Sequence, residues 1–209
     1  MKRFFDTLFT LVGIIILSPI LLIIMVLSLL FQGYPILFFH ERLGINGAPF
    51  TMVKFRTMAT GQSISASHDI TRLTKWGKFL RRTSIDEFPV LINVIKGDMS
   101  LVGPRPLPQK YFSRFNAFQK KRFQVKPGIT GLAQIKGRNQ LSWEERFEFD
   151  VQYVNDHSFF LDIKIILITI LLVFKGVGVT SKEQEIMPEF MGTKRTHEIS
   201  DNSETEYLD

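Results

Sequence analysis

The sequence predicts an α+β fold, mainly helical, anchored in a membrane at its N-terminus. Three observations predict it. Residues 8–31 contain no charged side chain. Short apolar runs flank an Asn-Gly pair between residues 35 and 55. Helix-spaced apolar patterns then recur from about residue 72 to residue 174. The chain has 209 residues, enough for one domain with appendages, and 45% of them are hydrophobic, which excludes disorder of the whole. It has no cysteine, which excludes disulfides, thiolate zinc sites and cysteine nucleophiles.

The first element is LFTLVGIIILSPILLIIMVLSLLF, residues 8–31. A bilayer core of about 30 Å needs roughly 20 helical residues, so the segment is long enough to span. It is too long for a signal-peptide core, and no small-residue cleavage site follows. Ser18-Pro19 interrupts it, because proline removes a backbone donor and clashes with the carbonyl four residues back. A kinked spanning helix and a re-entrant hairpin both satisfy this pattern. Lys2 and Arg3 precede the run while Arg42, Lys54 and Arg56 follow it, so flanking charge orients no spanning helix and favours the hairpin, which keeps both flanks on one side.

Next comes a predicted β-hairpin, Pro35–Phe39 and Phe50–Phe55, joined through Asn46-Gly47. Helices are expected at about 72–82, 85–96, 108–123, 142–157 and 160–174. Residues 111–123, YFSRFNAFQKKRF, mix aromatics with cations, as an amphipathic helix at a membrane interface or one packed on a core would. The run 165–174 is too short to span and reads as a core or interfacial helix. KPGITG at 126–131 reads as a turn between helices or as a phosphate cradle. From Lys182 onward there are eight acidic and three basic residues, giving an acidic, aperiodic and poorly ordered tail at 181–209. The division expected is therefore a membrane segment at 1–34, a body at 35–180 and this tail. The strongly basic body suits an anionic partner, either a membrane surface or a phosphorylated substrate. No nucleic-acid partner is expected, since no reader motif is present.

The most informative stretch is LRRTSIDEFPVLINVIKGDMSLVGPRP, residues 80–106. Asp86 can cap a helix running to Lys96 and stopping at Gly97, and Ser84 with Glu87 matches a capping box. Yet Asp86 and Glu87 stand beside Arg81 and Arg82. Arg105 is fixed between Pro104 and Pro106, and Lys54 and Arg56 alternate in VKFRTM. Several rigidly presented cations near two carboxylates suit a diphosphate and a divalent metal. His40, His68, His157 and His197 lack ligand spacing and read as structural or surface residues.

KFRTM at 54–58, the 80–106 stretch and KPGITGLAQIKGRN at 126–139, in this order, resemble the signatures of the bacterial sugar transferases, the monotopic phosphoglycosyl transferases. The resemblance runs from KRFFD at 2–6 to about residue 180 and is closest to short members that consist of the catalytic domain alone. Ile85 and Phe88 stand where leucines are common, a conservative departure.

The resemblance implies transfer of a sugar-1-phosphate from a nucleotide diphosphate sugar, usually a UDP-sugar, to polyprenyl phosphate. The reaction would occur at the cytoplasmic face of the bacterial inner membrane, and glycosyltransferases of the same pathway would take the product onward. It implies Mg²⁺ held by Asp86 and Glu87, with Asp86 as nucleophile and Glu87 as its partner. Arg81 and Arg105 match basic residues near the phosphates, and Ser18-Pro19 matches the break of a re-entrant membrane helix. Lys54, Arg56 and Arg138 complete the expected set of substrate-binding cations. A catalytically silent scaffold and a hydrolase of nucleotide diphosphate sugars are the competing readings.

Overall fold

The computed structural model of the protein describes residues 1–61, 72–137, 141–175 and 189–193. Helix α1 runs over Lys2–Gln32 and ends at Gly33, whose φ of 69° is a left-handed value that favours glycine. Pro19 lies inside it, and the Ser18 hydroxyl donates to the Ile15 carbonyl at 2.8 Å. Among the described residues, α1 is the helix long and apolar enough to cross a membrane.

Both ends of α1 dock on the body. At its start, Arg3 donates to the Val94 and Ile95 carbonyls, and Lys2 pairs with Asp162. Asp6 accepts from the Ser100 hydroxyl at 2.8 Å. Toward its end, Ile24 packs with Phe55 and Leu80, and Ser28 accepts from the Trp76 indole N–H at 3.0 Å. Between these attachments the side chains turn outward: Ile15 is 71% and Ile16 68% exposed.

Strands β1 (Leu37–Leu43) and β2 (Pro49–Phe55) form the expected antiparallel hairpin, in register from Leu37 opposite Phe55 to Leu43 opposite Pro49. Asn46 (φ 55°) and Gly47 (φ 73°) turn the chain, within a 3₁₀ turn rather than a two-residue loop. Helix α2 (Lys75–Arg82) follows, with Thr74 accepting from the Gly77 N–H at its start.

The helix expected over 85–96 divides. Residues Ile85–Val90 form a 3₁₀ turn, and α3 covers only Leu91–Lys96, closing on Gly97 as expected. Pro89 explains the division, because it has no N–H to donate to the Ile85 carbonyl. The capping reading of Asp86 and Ser84 fails with it. Ser84 sits in left-handed conformation (φ 56°) and makes no side-chain cap.

The helix expected over 108–123 also breaks, into a 3₁₀ turn Gln109–Arg114, helix α4 (Ala117–Lys120) and a second 3₁₀ turn Lys121–Gln124. Phe115 is extended there, and a capping box of Asn116 with Gln119 starts the chain afresh. KPGITG is not a turn between helices. Strand β4 (Gly128–Thr130) pairs parallel with β3 (Ser100–Val102), bringing the PRP loop against the ITG segment. A Cβ at Gly128 would lie 2.0 Å from the Gly103 nitrogen, so this approach requires glycine.

Helices α5 (Leu132–Lys136), α6 (Trp143–Asp156) and α7 (Phe159–Phe174) complete the body. Ile165 of α7 is buried against Val102, Leu132 and Tyr153, while Leu167, Ile170 and Leu171 remain exposed. The expectation of a poorly ordered tail is corrected at 189–193. Phe190 is buried among Tyr111, Phe115, Phe147 and Trp143, and Glu189 pairs with Lys110 and Arg114. One large aromatic side chain with an empty pocket to fill overrides the acidic composition around it.

Candidate active site

The dyad is placed by a buried asparagine. Asn93 accepts from the Val53 N–H at 3.1 Å and donates to the Thr51 carbonyl at 2.7 Å, tying α3 to β2. Val90, Val94 and Met99 pack on Met52 at the same junction. The 3₁₀ turn just before α3 thus presents Asp86 and Glu87 beside Lys54 of β2. Nothing in the local pattern of LINVIK marks Asn93 except its polarity among apolar neighbours.

Glu87 is clamped. Its Oε1 accepts from Lys54 Nζ at 2.6 Å and from Arg105 Nη2 at 2.6 Å. The two cations hold its carboxyl well below the usual carboxylate range, against the opposing effect of burial. Burial lowers the Lys54 ammonium, which Glu87 partly restores, while Glu87 raises Arg105. Asp86 stands apart. Among the described residues no donor reaches its carboxylate, and burial first, then the charge of Glu87, push it up to about 6. Lys54, Arg81 and Arg105 pull it the other way. Two adjacent carboxylates with acidities driven apart divide the labour: one fixed as an anion, one left with free oxygens.

The sequence-predicted cations separate in the same way. Lys54 and Arg105 meet at Glu87, and Arg81, whose Nε donates to Thr57 Oγ1 at 3.0 Å, acts on Asp86 from α2. Arg56 lines the same cleft but makes no bond to the dyad. β2 ends at Phe55, so the strand alternation that would align Arg56 with Lys54 stops one residue short. Its guanidinium instead donates to the Gln32, Gly33 and Pro35 carbonyls, closing the C-terminal end of α1. Arg138 lies outside the described residues, as do His68 and His197.

The same cleft is lined by His40 and Arg42 of β1, by Thr130 and Gln134, and by Arg146 of α6. His40 is more than a surface residue. Its Nδ1 lies 3.1 Å from Arg42 Nη2, and burial with the nearby cations lowers its pKa to about 3, so it is neutral. Sequence reasoning missed this residue because strand position, not motif, brings it here. It also missed Arg122 and Asp150, which form a buried ion pair whose aspartate lies in the wall of the cleft.

Residues 1–176 match the family model described as bacterial sugar transferase. The chain belongs to the bacterial sugar transferase family. It is 44% identical over 195 residues to the sugar transferase EpsL of Bacillus subtilis, a protein itself described as uncharacterized, covering 92% of this chain and 96% of EpsL. It is 42% identical over 194 residues to the galactosyl transferase CpsE of Streptococcus agalactiae, covering 85% of this chain and 43% of CpsE. It is 38% identical over 188 residues to the UDP-glucose:undecaprenyl-phosphate glucose-1-phosphate transferase of Escherichia coli, covering 84% of this chain and 40% of that enzyme. The chain therefore spans nearly the whole of one relative and less than half of the other two. The family match ends at residue 176, so the docked segment around Phe190 lies beyond it.

Proposed function

We propose that this enzyme transfers a sugar-1-phosphate from a UDP-sugar to polyprenyl phosphate, through a covalent intermediate on Asp86. The observation that carries the reading is the asymmetry of the dyad: Asp86 has free oxygens beside a Glu87 already clamped by Lys54 and Arg105. A carboxylate attacks phosphorus without a base. One Asp86 oxygen attacks the phosphorus that bears the sugar. The bond from that phosphorus to the bridging oxygen breaks, and UMP leaves with the electron pair. A phosphate oxygen of the lipid then attacks the same phosphorus and releases Asp86. Lys54, Arg81 and Arg105 offset the repulsion between carboxylate and diphosphate. The names of relatives that use UDP-glucose and undecaprenyl phosphate support the substrate classes.

The donor set fits Mg²⁺. Among the described residues no cluster of three or more metal-ligating side chains exists. Magnesium commonly takes one or two carboxylates and completes its shell with substrate phosphates and water. Asp86 and Glu87 would hold it, and its charge would neutralise the diphosphate.

The same reading places the enzyme on the cytoplasmic face of the inner membrane, with α1 entering and leaving from one side. The attachment of both ends of α1 to one body, with the Pro19 region turned outward, supports this topology. Exposed Phe79 beside Trp76 on α2, and the open apolar face of α7, suit a lipid surface. Lys2→Cys and Thr60→Cys variants should both resist labelling from outside intact spheroplasts. Labelling at position 2 alone would establish a spanning helix instead.

The chemistry is tested by UMP release. Turnover should require polyprenyl phosphate, and a trapped sample should carry a phosphosugar on the Asp86 peptide by mass spectrometry. Sustained release without lipid would make the protein a hydrolase, and no release with any UDP-sugar would favour a scaffold.

A further inference from the structure

We propose that Arg122 and Asp150 are positioning residues for the transfer, setting the guanidinium of Arg105 by holding its backbone from behind. This inference rests on the proposed role of Arg105 in the site. The loop Gly103-Pro104-Arg105-Pro106 has no N–H at either proline, so its carbonyls must fix it. Three are held. Pro104 O accepts from the Gly128 N–H at 3.0 Å, and Leu107 O accepts from the Leu43 N–H at 3.0 Å. Between them, Arg105 O accepts from Arg122 Nη2 at 2.7 Å, a side-chain donor to the loop backbone.

Arg122 can aim at that carbonyl because Asp150 aims Arg122. Its Nε and Nη2 donate to one Asp150 oxygen at 3.0 and 2.7 Å. Nη2 carries two hydrogens, so it serves Asp150 and Arg105 together. The rings of Phe115, Phe123 and Phe147 lie 5.6 to 6.0 Å from the guanidinium and exclude water. A buried ion pair is seldom more stable than apolar residues of the same volume. What this pair adds is a donor at a fixed point, one bond from the residue whose side chain grips Glu87.

Arg122→Lys keeps the charge but lacks the rigid planar fork, so it does not fix both acceptors in this geometry. We expect it to lower kcat/KM for the UDP-sugar by about 10-fold, chiefly through kcat, with Asp150→Asn giving a loss of similar size. The decisive measurement is a double-mutant cycle with Arg105→Lys. In that background the Arg122→Lys loss should shrink to less than about 2-fold, because the group being positioned is already displaced. Equal losses in both backgrounds, or a fully active Arg122→Lys enzyme, would overturn the proposal. So would a collapse in thermal stability of both Arg122→Lys and Asp150→Asn, which assigns the pair to folding alone. If Arg105→Lys by itself is silent, the fault lies in the proposed role of Arg105, a result distinct from independence within the cycle.

Discussion

Two arginine–carboxylate pairs lie side by side, Glu87–Arg105 open in the cleft and Asp150–Arg122 buried in its wall, joined through the carbonyl of Arg105. Their chemistry is the same and their surroundings are not. In the cleft, the side chains of Arg105 and Glu87 are 39% and 20% exposed, and Lys54 shares the carboxylate. In the wall, Arg122 and Asp150 are 2% and 3% exposed, and phenylalanines ring the guanidinium. An accessible pair can exchange a carboxylate for an incoming phosphate. A sealed pair cannot exchange and can only hold geometry. Exposure, not residue type, assigns one pair to ligand chemistry and the other to architecture.

The largest break in this comparison comes from the free member of the dyad. Asp86→Asn should reduce UMP release by more than about 10³-fold, because an amide does not attack phosphorus. Its thermal stability at pH 7 should equal or slightly exceed that of the unaltered protein. The sign follows from the raised pKa: the folded state binds the Asp86 proton more tightly than the unfolded state. The stability this group contributes is therefore present at low pH and lost as pH rises through about 6. The advantage of the variant should vanish near pH 4, as differential scanning fluorimetry across pH would record.

Breaking the sealed pair should be the largest stability effect. Asp150→Ala leaves Arg122 charged and unpaired in the core, at a cost of about 3–5 kcal/mol. Removing the ring behind it should cost somewhat less. Phe190→Ala empties a pocket lined by Phe115, Phe147 and Trp143 and should destabilise by about 3 kcal/mol. Denaturant unfolding in detergent measures both. If Phe190→Ala is neutral, the segment around it contributes no packing to the cage.

The smallest effect is the pH profile. With Asp86 at about 6 before Mg²⁺ binds, kcat/KM at limiting Mg²⁺ should fall by about half from its plateau near pH 6, then tenfold per unit below. Glu87, held well below the usual range, adds no limb in that window. A flat profile down to pH 5 would mean that Asp86 does not have to ionise in this range.

Lys54, Asp86, Glu87 and Arg105 were legible in the sequence because adjacent carboxylates and proline-flanked arginine are local patterns. So was the hairpin, whose Asn46-Gly47 does occupy positive φ. The long apolar N-terminal helix was legible too, since 24 uncharged residues admit few other structures. The tertiary structure decided what local pattern does not carry. It turned Arg56 onto the end of α1, because the strand stops at Phe55. It broke two expected helices, one where Pro89 lacks its N–H and one where Asn116 recaps the chain. It brought Asn93 to β2, 40 residues upstream, and Arg122 to Asp150, 28 residues downstream. Such pairings depend on which surfaces the folded chain presses together. The periodicity of a segment reports which of its faces is apolar, and it does not say what that face will meet.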